Sequence, residues 1–158
     1  MSLLPACEWL AHSWLGHTIR HSSWAFAFIE VVHLAALALL GGSLVVAALR
    51  VFGWVLPTRG IAAVARGLVP LAAASLLTLI VSGLLLFADG PLRYYANVAF
   101  RTKLLLLAAA LAGAVLTRRW AWQTPPAAAA SLRLKTAAAL TLALWLGVGI
   151  AGRVIGVL

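Results

Sequence analysis

Residues 24–49 read WAFAFIEVVHLAALALLGGSLVVAAL. The run matches the roughly 20 apolar residues that a membrane-spanning helix needs. Two ionisable groups, Glu30 and His33, stand inside it three positions apart. At about 100° per residue, positions i and i+3 lie on one helix face, so carboxylate and imidazole are expected to point the same way. Gly41 lies near the same stripe, where a missing side chain lets another helix or a flat group approach. A carboxylate in hydrocarbon costs several kcal/mol unless it is paired, protonated or wetted. The rest of the chain is therefore expected to supply a partner for Glu30.

Composition agrees with a membrane setting. Of 158 residues, 65% are hydrophobic and 9% charged, against about 25% charged in soluble domains. Further apolar runs lie at about 67–88, 98–117 and 136–157. At about 1.5 Å per residue and about 30 Å of hydrocarbon, the length accommodates four spans and no separate soluble domain. The expected fold is all-α: a single membrane domain over 1–158, an integral membrane four-helix bundle. Residues 1–22 place Trp9, Leu10, Trp14, Leu15 and Ile19 at helix-like intervals among polar residues, which predicts a short N-terminal amphipathic helix in the interface. Leu4-Pro5-Ala6-Cys7 faintly resembles a lipoprotein cleavage box, but it has no basic leader and no preceding apolar core, so the first span is expected to be retained.

The net charge of +9 does not point to nucleic acid, because Arg and Lys flank the apolar runs. The partners expected are the lipid bilayer and a second copy or larger membrane complex. The connections 50–66 and 118–135 carry seven basic residues and no acid, while the other side carries five basic residues and all three acids. In a bacterial inner membrane, the positive-inside rule then places both termini in the periplasm. A single Cys7 excludes an intrachain disulfide.

Within the second run, Ser75, Thr78 and Ser82 form a stripe expected to face the bundle interior. Gly147-Val-Gly-Ile-Ala-Gly152 has the form GxGxxG but lies inside an apolar helix, without the preceding strand that dinucleotide binding needs. Gly152 and Gly156 read as small-xxx-small helix packing.

His33 is the histidine inside a span. One reading makes it a packing residue, paired with Glu30. The other makes it a ligand to haem iron or copper, both of which accept imidazole. No second histidine lies within a span, and the one Met is Met1. Two protein ligands on a haem would therefore require another chain, or His21 or His17 folding inward. His17 and His21 have the i, i+4 spacing that places two imidazoles on one face for a metal; the plainer reading is a solvated interfacial face. Arg101, Lys103 and Arg153, near span ends on the Glu30 side, could each neutralise Glu30, Arg101 and Arg153 foremost, or hold carboxylates such as haem propionates. Lipid anchoring is the default reading for Lys103 and Arg153. No hydrolytic triad, phosphate loop or paired carboxylates are evident, so no catalytic residue is assigned.

Glu30-x-x-His33-Leu34, then Gly41-Gly42 and Leu49-Arg50-x-x-Gly53, resembles the first helix of a family of small bacterial four-helix membrane proteins of unknown function. Tyr95-x-Asn97-x-x-Phe100-x-x-Lys103 resembles the same family at its third helix. That family carries an acidic residue before the Leu-Arg pair, where this chain has Ala48. More distantly, the pattern is similar to the membrane domain of copper-resistance D proteins. The resemblance implies a four-helix membrane fold and hints at haem b or copper. The expected function is thus haem or metal binding for electron transfer or copper handling. The alternatives are a scaffold with a structural Glu30–His33 pair, and a small transporter or proton-relay element.

Overall fold

A computed structural model describes residues 4–125 and 128–155. The elements are α1 (Leu4–Ala11), α2 (Trp14–His21), α3 (Ser23–Phe52), α4 (Ile61–Asp89), α5 (Pro91–Ala96), α6 (Val98–Gln123) and α7 (Leu132–Ile155). Four of them, α3, α4, α6 and α7, are long and apolar enough to cross a membrane. Large apolar side chains such as Phe28, Leu77, Leu105 and Ile150 lie exposed along their flanks, as expected where the solvent is lipid.

The long helices overrun the expected spans. Helix α4 starts at Ile61 and continues through Pro70, and α6 continues past Arg118 and Arg119 to Gln123. The charges end the apolar run without ending the helix, because Arg is a good helix former. The Arg118 guanidinium lies over the Trp122 ring, 5.0 Å from its centroid. Local signals set several boundaries. Ser22 caps α3 by accepting from the Ala25 N–H at 3.2 Å. Gly53 ends it at φ 84°, in the left-handed region. Asn97 caps α6 by accepting from the Phe100 N–H.

The N-terminal segment forms two short helices instead of one. Ser13 breaks the run and caps α2, accepting from the Gly16 N–H at 3.1 Å. Helix α2 docks on the end of α4. At Gly16, an added Cβ would stand 2.8 Å from the carbonyl oxygens of both Ala88 and Leu10. Arg20 donates to the Asp89 carbonyl and to the Ala11 carbonyl, each at 3.0 Å, satisfying acceptors left over at two helix ends. Trp9, Trp14 and Trp24 stay exposed, as side chains at headgroup level would. This is the cap end of the bundle; the opposite end carries the arginine-rich connections.

Helices α3 and α4 form one tight hairpin and α6 and α7 another, and fewer contacts join the two. Leu40, Ala110, Trp145 and Val148 form the central core, and Ala48, Val51, Ile61, Ala121, Leu134 and Ala138 a second core toward the arginine-rich end. The GxGxxG stretch lies within α7, with Gly147 receiving Leu106. Gly156 lies outside the described residues.

A polar layer shared by the four long helices

His33 on α3 turns toward α4. Its Nδ1 lies 2.8 Å from the Ser82 Oγ, and that hydroxyl donates to the Thr78 carbonyl at 2.6 Å. A hydroxyl has one proton. With it spent on Thr78, Ser82 accepts and the His33 Nδ1–H donates, so the lone pair remains on Nε2; this tautomer is inferred from the network. Nε2 has no hydrogen-bond partner among the described residues. Gly83 admits the ring: a Cβ there would lie 3.3 Å from His33 Cε1.

The facing hairpin contributes Lys103 from α6, whose side chain runs over Gly152 of α7. A Cβ at Gly152 would meet the Lys103 Nζ at 3.4 Å and its Cε at 3.6 Å. Lys103 has no hydrogen-bond acceptor or carboxylate partner among the described residues, where the one ion pair is Arg93–Asp89 at 3.5 Å. By the helix rise, Ser82 and Lys103 lie about 10 Å and about 8 Å from the cap ends of α4 and α6. Imidazole and hydroxyl on one hairpin and the ammonium on the other thus lie in the cap-end half of the bundle, with Gly83 making room for the ring and Gly152 for the lysine chain.

Glu30 stands outside this layer. It is exposed, and neither Arg101 nor Arg153 pairs with it. Arg101 instead donates to the Tyr95 carbonyl at 3.0 Å and lies over that residue's ring, and Arg153 is exposed. An i, i+3 step leaves two side chains about 60° apart, enough for His33 to face inward while Glu30 faces outward. Glu30 also lies only about 10 Å along a helix of about 45 Å, so it can stay at the wet interface and needs no buried counter-charge. The expected Glu30–His33 pair is accordingly replaced by His33–Ser82. Gly41 is not part of the layer, and a Cβ there would meet nothing within 4 Å.

On α2, the rings of His17 and His21 lie side by side with centroids 4.1 Å apart, as the i, i+4 spacing implies. No group of three His, Cys, Asp or Glu able to hold a metal occurs among the described residues, and His33 is not joined to this pair. Of the hydroxyl stripe, Ser75 and Ser82 are buried, and Thr78 donates back to the Ala74 carbonyl. Both Thr78 and Ser82 thus commit their protons to helix carbonyls. Sequence reasoning discounted Lys103; a glycine in the fourth span at matching depth was the signal that could have found it.

No curated protein matches the chain, and no solved structure does. The proposed kinship with copper-resistance D proteins gains no link from these comparisons. A family model does match, over residues 6–158, and the chain belongs to that family, a family of unknown function designated DUF6644.

Proposed function

We propose that this protein binds haem b, that His33 would hold its iron and Lys103 a propionate, and that it serves electron transfer. The observation that carries the reading is the Nδ1–Ser82 bond, which orients the ring and leaves Nε2 free. A hydrogen bond of this kind, on the nitrogen not used for ligation, accompanies most metal-ligating histidines. Lys103 supports haem over a bare copper ion. A half-buried ammonium repels a metal cation but complements a carboxylate, and haem presents both a metal and carboxylates. When bound, haem supplies one-electron chemistry. The chain's own contributions are ring orientation through Ser82, charge balance through Lys103, and room for the His33 ring at Gly83 and for the Lys103 side chain at Gly152. His33 is the one imidazole this layer would offer to iron, so any further protein ligand would come from a second copy of the chain.

The copper reading rests on the His17–His21 pair, which lacks a third donor among the described residues. The scaffold reading rests on the same His33–Ser82 bond, taken as a link between α3 and α4. Against the relay reading, two of the three stripe hydroxyls, Thr78 and Ser82, donate to helix carbonyls. We place the protein in a bacterial inner membrane with both termini periplasmic, from the charge count. Reporter fusions after residue 158 and within 120–134 should report opposite compartments, and a cytoplasmic C-terminus overturns that orientation.

Absorption spectra of the purified protein, oxidised and reduced, test the cofactor. A Soret band with a reduced α-band is expected in wild type, lost in His33→Ala and retained in His12→Ala. If wild type produced with haem and copper available binds neither, the cofactor reading fails and the packing role of His33 stands.

A further inference from the structure

In the arginine-rich half of the bundle, the two hairpins leave a cavity of about 230 Å³ between them. It exceeds the apolar cavity of about 150 Å³ that accepts benzene. Its wall runs from Ile61 and Ala121 to Leu76 and Trp145. The lining stretch of α3, Leu40 to Val51, covers about 16 Å, and that of α4, Ile61 to Leu76, about 22 Å by the helix rise. Half of an approximately 30 Å hydrocarbon core is about 15 Å, so the cavity is narrow and about one leaflet deep. Its space comes from the sequence: eight lining residues are alanines, drawn from all four long helices.

The hydroxyls in the wall offer no free proton to a ligand. Ser43 donates to the Leu40 carbonyl and Thr141 to the Ala137 carbonyl, each at 2.7 Å. Thr141 is thereby left to accept from Thr117 at 3.2 Å. The one charged lining residue is Arg118, which has no carboxylate partner among the described residues. We propose that the cavity holds one acyl chain of an anionic phospholipid, with the phosphate on Arg118. Apolar walls, one-leaflet depth and a cation on the lining together match one chain below one anionic headgroup. Trp145, in the wall farthest from the arginine-rich end, has a buried indole N–H with no acceptor among the described residues. A quinone carbonyl could use that donor but would have no use for Arg118, so the lining charge and the elongated form favour the lipid. The proposal does not depend on haem at His33.

The test is native mass spectrometry of the full-length protein after delipidation, with three probes added back. These are phosphatidylglycerol, phosphatidylcholine with the same chains, and a short-tailed benzoquinone. Wild type should retain one phosphatidylglycerol, and Arg118→Gln should reduce that retention about fivefold, the worth of one basic residue at an anionic surface. Ala72→Phe, which fills the cavity, should reduce it further. Circular dichroism confirms that each variant is folded. Equal retention of both phospholipids by wild type, or retention indifferent to Ala72→Phe, overturns the proposal. So does a bound benzoquinone that displaces phosphatidylglycerol and is itself lost in Trp145→Phe.

Discussion

Replacing Ser82 with Ala separates the two roles open to His33. The change removes the acceptor that holds Nδ1 at 2.8 Å. The other bond of Ser82, to the Thr78 carbonyl, is a back-bond within its own helix, and its loss costs little. A neutral hydrogen bond contributes about 1 kcal/mol net, and a ring N–H left without a partner costs about 1–3 kcal/mol. For a chain of this size, each kcal/mol moves the melting temperature by about 2–4 °C. The apoprotein should therefore melt lower by roughly 2–12 °C, whether or not His33 binds a cofactor. If His33 ligates iron, Ser82→Ala also frees the ring orientation and tautomer, and haem affinity should fall about 10–100-fold. Haem titration followed at the Soret band measures this, and Ser82→Thr, which restores the hydroxyl, should recover most of it. Haem affinity unchanged in Ser82→Ala while His33→Ala abolishes binding would refute the orienting role of Ser82. Unchanged melting as well as unchanged affinity would refute the hydrogen bond itself.

Lys103→Gln should lower haem affinity by about tenfold, the scale of one charge-assisted bond, without lowering apoprotein melting, since it removes an uncompensated cation from the layer. Haem titration and thermal melts on one preparation read both quantities. Gly16→Ala should dislodge α1 and α2, because the new Cβ would meet two carbonyl oxygens at 2.8 Å, an overpacking cost of about 1–3 kcal/mol. Faster hydrogen exchange confined to residues 4–21, with the long helices still protected, is the expected signature. Gly113→Ala should loosen α6 from α7, since its Cβ would stand 2.9 Å from the Thr141 Oγ1. Adding Thr141→Ala should recover part of the lost melting temperature, and additive losses would show that the clash is not the cause.

The long helices were legible because lipid demands unbroken apolar runs, and length alone decides whether a run can span. Their arginine-rich ends were less so, since Arg118 and Arg119 stop the hydropathy and leave the helix intact to Gln123. His33 stood out as a histidine inside a span, but its partner is 49 residues away. Periodicity placed Ser82 on the inner face of its helix without naming the neighbour opposite. Glu30 was misjudged because a shared helix face is broad, and about 60° separates a group aimed at the core from one aimed at the headgroups. Lys103 was discounted because a lysine near a helix end ordinarily snorkels outward. Its inward course depends on Gly152, a residue on another helix that sequence spacing cannot align with it.

The site and the cavity both follow from how the two hairpins meet. In lipid, apolar surface alone gives helices little reason to associate, so close packing and polar contacts must hold them. Within each hairpin those requirements are met by fits such as Gly83 under His33 and Gly152 under Lys103. Between the hairpins they are met only in part. Toward the cap end, one hairpin carries the imidazole and the other an ammonium with no carboxylate partner among the described residues; on the proposed reading, haem would bridge the two. Toward the arginine-rich end, the seam is lined by alanines too small to fill it. Among the described residues no carboxylate faces Lys103, and eight alanines line the cavity. The haem titration and the lipid-retention measurement decide whether these two places hold occupants or only loose packing.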